Sequence, residues 1–127
     1  MRFSTFFTIL AIIGVLYALA FLIAPAEAAK NYSIHLDAGG VVVARLFAAA
    51  LGALSVLSWL LRNQDPAGDV ARSAMWASLL YNFVTLVVAV IAIQQGVANS
   101  LGWSTVVLTA FILVGLFFFL SKKKAII

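Results

Sequence analysis

The stretch Ser4-Thr5-Phe6-Phe7-Thr8-Ile9-Leu10-Ala11-Ile12-Ile13-Gly14-Val15-Leu16-Tyr17-Ala18-Leu19-Ala20-Phe21-Leu22-Ile23-Ala24 carries no charged side chain and is stopped by Pro25. A helix of about 20 apolar residues rises roughly 30 Å, the thickness of a bilayer's hydrocarbon core. Thr5, Thr8 and Tyr17 carry its only polar groups beyond its two ends, and a spanning helix tolerates them. Met1-Arg2 ahead of the run and Ala26-Glu27-Ala28 behind it also resemble a secretory signal with a small-residue cleavage site. Such a signal has an apolar region of about 7 to 15 residues, shorter than this one, and Pro25 stands next to the cleavage position. The run is therefore read as an uncleaved first span.

Three more apolar runs follow: Gly40 to Leu61, Ser73 to Ile93 and Trp103 to Leu120. The polar stretch Arg62-Asn63-Gln64-Asp65-Pro66-Ala67-Gly68-Asp69 separates the second from the third, and Gln94-Gln95-Gly96 ends the third. Of the 127 residues, 65% are hydrophobic and 9% charged, far from the balance of a water-soluble domain. Backbone polar groups in lipid must be satisfied within each segment, so the runs predict helices and not barrel strands. Connections of roughly 15, 11 and 9 residues suit sequential antiparallel neighbours. The expected architecture is all-α: one domain over residues 1–127, a four-helix transmembrane bundle running up-down-up-down.

Eight Lys and Arg against four Asp and Glu give a net charge of +4. Arg2, Arg62, Arg72 and Lys122 to Lys124 share one side of the expected bundle, while Lys30 and Arg45 belong to the other. The positive-inside rule then places both termini in the cytoplasm, and the basic excess reflects topology rather than nucleic-acid binding. Lys122 to Lys124 could also hold anionic lipid. Trp59, Trp76 and Trp103 fall near span ends, where an interfacial belt puts them.

Arg45 lies about five residues into the second span, roughly 7 Å from its start. A charge there needs a partner, and Asp37, Glu27 and Tyr17 are in reach by this reading. It either anchors an anion or lipid head group or locks the external loop, so Arg45 and Tyr17 are candidate ligand-binding residues. Gly40, Ala44, Ala48 and Gly52, continued by Ser55, recur every three or four residues and let a second backbone approach closely. These are the expected helix-packing positions, toward a helix of this chain or of another protein. Ser78, Asn82, Thr85 and Ala89 share a face of the third span with Tyr81 beside them. Asn82, near the bilayer centre, is either a packing contact or one wall of a polar pathway. His35, the single histidine, could ligate a haem or chlorophyll-type pigment, but one imidazole beside Asp37 makes a thin site, and no metal site is expected. Asn31-Tyr32-Ser33 matches a glycosylation acceptor, a pattern frequent by chance.

The chain has no cysteine, and no paired carboxylates, nucleophile with its base or phosphate-binding glycine loop can be found. The leading expectation is a non-catalytic accessory or structural subunit packing with other membrane proteins or with itself. The alternative is a binder of a lipid or apolar pigment between helices. A third reading, a transporter resembling the small multidrug resistance class, matches in length and span number but lacks that class's glutamate in the first span.

Ala24-Pro25, Ala44-Arg45, Tyr81-Asn82 and Asn99-Ser100-Leu101-Gly102-Trp103 together resemble the small uncharacterised four-helix inner-membrane proteins of bacteria. The resemblance covers nearly the whole chain. It implies four spans in a bacterial cytoplasmic membrane and brings no activity, cofactor or ligand.

Overall fold

The computed structural model describes residues 1–122; Lys123 and Lys124 of the terminal lysine cluster lie outside the described residues. Five helices follow one another: α1 (Phe3–Ile23), α2 (Pro25–Lys30), α3 (Ala38–Leu61), α4 (Asp69–Gln94) and α5 (Gly102–Leu120). All but α2 are long and apolar enough to cross a membrane, which marks a multi-pass membrane protein. Large apolar side chains such as Ile23, Val43, Leu46, Leu80, Val107 and Val114 point outward. In water such a surface would aggregate; in lipid it is solvated.

The helices outrun the apolar segments, and their caps explain why. Asp37 accepts a hydrogen bond from the Gly40 amide at 2.7 Å, so α3 begins at Ala38 instead of Gly40. Gly68 caps α4 and Asp69 occupies its first turn, where a carboxylate complements the helix dipole. Pro25 opens the short α2 because its fixed φ and missing N–H suit a first helical position.

Arginine side chains bond to carbonyls in the last turn of three of the long helices. Arg62 donates to the Trp59 carbonyl at the close of α3, and Arg72 reaches from α4 to Leu120 at the close of α5, at 3.0 Å. Arg45 Nε donates to the Leu22 carbonyl at 3.3 Å, at the break between α1 and α2. This corrects the expectation that Arg45 pairs with Asp37, Glu27 or Tyr17: the helix break frees a carbonyl within reach, while the Asp37 carboxylate is occupied by its cap. Helix α4 closes instead on Gly96 at φ 71°, the left-handed conformation that glycine adopts without strain.

Successive long helices run antiparallel. Ser4 at the start of α1 meets Asn63 just beyond α3, Phe21 near the end of α1 meets Phe47 near the start of α3, and Arg72 joins the start of α4 to the end of α5. Packing is uneven: α1 lies along α3 and α4 along α5, while the two pairs touch little. Between α1 and α3 the small face does its work, with Ala11, Gly14 and Ala18 facing Ala48, Gly52 and Ser55. A Cβ on Gly14 would come within 3.2 Å of the Ser55 Cβ, and one on Gly52 within 3.7 Å of the Ala18 Cβ. Ala44 is half-buried. Gly40, expected in the same interface, has Leu36 and Asp37 nearest its Cβ position and donates its amide to the cap.

The two pairs join at the end that carries the termini. Phe3, Phe6 and Phe7 of α1, Ala71 and Met75 of α4, and Ile112, Leu116, Phe119 and Leu120 of α5 form one buried cluster. Phe3 and Phe7 stack with centroids 4.3 Å apart, and Phe119 meets both Phe3 and Phe6 at 5.4 Å. The Phe6 ring lies on Gly115, whose missing side chain makes the room.

Candidate functional site

Beyond the aromatic cluster the pairs separate and border a partly open cavity of about 270 Å³. Helix α1 contributes Leu10, Ile13, Gly14, Tyr17 and Phe21, and α3 contributes Phe47, Leu51, Leu54, Ser55 and Ser58. Ser78, Tyr81, Asn82 and Thr85 come from α4, and Thr105, Leu108, Thr109 and Ile112 from α5. Serines and threonines hold this space open because they are too short to bridge it. They also bond within their own helices: Ser55 to Leu51 at 2.8 Å, Ser58 to Leu54 at 3.0 Å, Thr85 to Tyr81 at 2.8 Å and Thr109 to Thr105 at 2.8 Å. Such back-bonding spends the hydroxyl hydrogen and leaves oxygen lone pairs facing away from the backbone.

Asn82 is 7% exposed, and its Nδ2 donates to the Ser78 carbonyl at 2.8 Å. No buried side-chain polar atom among the described residues lacks a partner. The Asn82 carboxamide oxygen, which accepts no bond from the chain, is therefore open to the cavity. The one side-chain bond of Asn82 lies within α4, so the expected hydrogen bond to another helix is not formed.

The far end of the cavity is closed by a loop. Tyr32, just past α2, lines the space and its hydroxyl faces that of Tyr17. The loop is held by Asn99 from the α4–α5 connection. Asn99 Nδ2 donates to the Asn31 carbonyl at 2.9 Å and to Ser33 Oγ at 3.1 Å. The Asn99 amide donates to the Tyr32 carbonyl at 3.0 Å, while its Oδ1 accepts from the Leu101 amide. Ser33 sits at φ 59°, a left-handed conformation that is costly for a non-glycine residue and needs surrounding contacts to persist.

Of the expected binding residues, Tyr17 and Asn82 come together in this cavity. Arg45 does not: it is exposed on α3 and bonded to Leu22. His35 is exposed in the loop between α2 and α3, and no cluster of three or more potential metal ligands occurs among the described residues. Sequence reasoning missed Tyr32, Ser55, Ser58, Thr105 and Thr109 as a site. The signal was present as hydroxyl residues three or four positions apart, at Ser55 with Ser58 and at Thr105 with Thr109, the same spacing noticed only around Asn82. Compared with known protein families, curated proteins and solved structures, the chain matches none of them.

Proposed function

We propose that this chain is a non-catalytic membrane protein that binds a small, largely apolar molecule between its helices. The observation that carries the reading is the cavity itself, with polar groups from α3, α4 and α5 gathered around Asn82 inside an otherwise apolar bundle. Packing alone gives no reason to keep such space open, since dispersion between closely packed helices is what holds membrane bundles together. Native mass spectrometry from lipid nanodiscs tests it. A bound species of defined mass is expected, displaced in Ser58→Phe, whose ring would occupy the space; an adduct-free chain, or the same lipid mixture on both proteins, would sink the reading.

The reading extends to orientation, with the termini and the α3–α4 connection in the cytoplasm of a bacterial cell and the Tyr32 loop outside its inner membrane. Because the chain has no cysteine, Gln64→Cys and Val97→Cys each give a single thiol. An impermeant reagent added to intact cells is expected to label the second and spare the first. Labelling of the first alone would reverse the topology.

The accessory-subunit reading rests on the apolar outer surface, which lipid covers equally well. The small face of α3 lends it no support, since it is turned toward α1. A stable hetero-complex after purification in mild detergent would favour it.

A further inference from the structure

The walls of the cavity restrict the chemistry of what it can hold. We infer that it takes an uncharged, planar aromatic molecule of about two rings that donates a hydrogen bond, an inference that rests on the binding reading above. No Asp, Glu, Lys, Arg or His lines the space among the described residues. An ion buried there would lose its hydration and find no countercharge, which excludes carboxylates, phosphates and ammonium groups.

The hydrogen-bonding inventory gives the second constraint. Ser55, Ser58 and Thr109 have each spent their one hydrogen on a backbone carbonyl, and Asn82 Oδ1 is open. These oxygens accept and cannot donate. Ser78, Thr105 and the Tyr81 hydroxyl can do either, and Asn82 Nδ2 keeps a second hydrogen, so the central band of the cavity holds a few donors and a larger number of acceptors. A ligand with an N–H or O–H group satisfies the surplus; a ligand offering only carbonyl or ether oxygen pairs with those few donors and leaves the Ser55, Ser58 and Thr109 oxygens without a further partner.

Shape and size supply the rest. Phe21, Phe47, Tyr17 and Tyr32 crowd the far half of the cavity, and aromatic rings pair best offset or edge to face with another ring. An apolar cavity of about 150 Å³ accommodates benzene. The present volume of about 270 Å³ therefore suits roughly two fused rings.

Titration calorimetry of the protein in nanodiscs, with the heat of protein-free nanodiscs subtracted, tests the inference with three probes of one skeleton. Indole donates through its N–H, 1-methylindole cannot, and tryptamine adds a positive charge. Indole is expected to bind saturably and 1-methylindole about tenfold more weakly, the ratio set by one neutral hydrogen bond. Tryptamine is expected to bind more weakly than indole. Thr109→Val, which keeps the side-chain shape, and Asn82→Leu should each reduce the indole preference while leaving 1-methylindole unchanged or tighter, a pattern that unfolding does not produce. Equal binding of indole and 1-methylindole, or tighter binding of tryptamine, overturns the ligand class and leaves the cavity a binding site. Binding of none of the three above the lipid control overturns the binding reading itself.

Discussion

The two ends of this bundle use different residue types to opposite effect. At the termini end, Phe3, Phe6, Phe7 and Phe119 interlock over Gly115 and Met75 is wholly buried. Toward the far end the corresponding layers hold Ser, Thr and Asn, and the pairs stand apart around a cavity. Both ends are built from the same apolar helices, so the hydrophobicity of the helices does not separate them. Side-chain size does, together with where each hydroxyl hydrogen is spent: large rings bridge the gap between helix pairs, while back-bonded hydroxyls lean on their own helix.

If the termini end is the mechanical joint of the molecule, the largest loss comes from opening a hole in it. Phe7→Ala is expected to cost about 3 kcal/mol, the range for deleting a buried aromatic side chain, read as the midpoint of denaturant unfolding in detergent. An effect below about 1 kcal/mol would remove the distinction between the ends. The reverse change is the next largest. Gly115→Val drives a side chain into the Phe6 ring and should cost about 2 kcal/mol by overpacking, whereas Gly52→Ala, at a site with room for a Cβ, should stay within about 0.5 kcal/mol.

At the far end the expected losses are smaller. Asn99→Ala removes two side-chain bonds to the 31–33 loop and should lower stability by about 1 kcal/mol. Its sharper readout is hydrogen exchange, which should rise at Tyr32 to Ile34 and leave α5 unchanged; a uniform rise along the chain would refute a local clasp. Smallest of all is Thr109→Val. Its hydroxyl bonds only within α5, so unfolding should move by less than about 0.6 kcal/mol, the mean measured for polar contacts between membrane helices. A loss several times larger would mean that the cavity wall is structural.

The four long helices were legible in the sequence because a bilayer reads length and apolarity, both local properties of Ser4–Ala24 and its counterparts. Helix pairing was less legible. The small face of α3 was visible, but its partner is set jointly with Ala11, Gly14 and Ala18 on α1, and Gly40 looked like part of that face until Asp37 claimed its amide. Arg45 was misread for a related reason. Side-chain partners can be counted along a sequence, while a backbone carbonyl freed by the break before Pro25 becomes visible only in three dimensions. Tyr17 and Asn82 could be singled out, yet the cavity joining them is empty space bounded by four helices, and no one segment encodes it. Tyr32 enters it only because Asn99, far along the chain, holds the loop down.

The closure by Asn99 also has a meaning as leverage. The helix pairs bear on each other through the Phe cluster at one end and are tied at the other by three hydrogen bonds, from the Asn99 amide and Nδ2 to Asn31, Tyr32 and Ser33. A helix of about 20 residues is an arm of roughly 30 Å, so a rotation of about 6° at the fulcrum shifts the far tips by about 3 Å. The aromatic joint can keep its stacking through so small an angle, while the tied end cannot follow without parting those bonds.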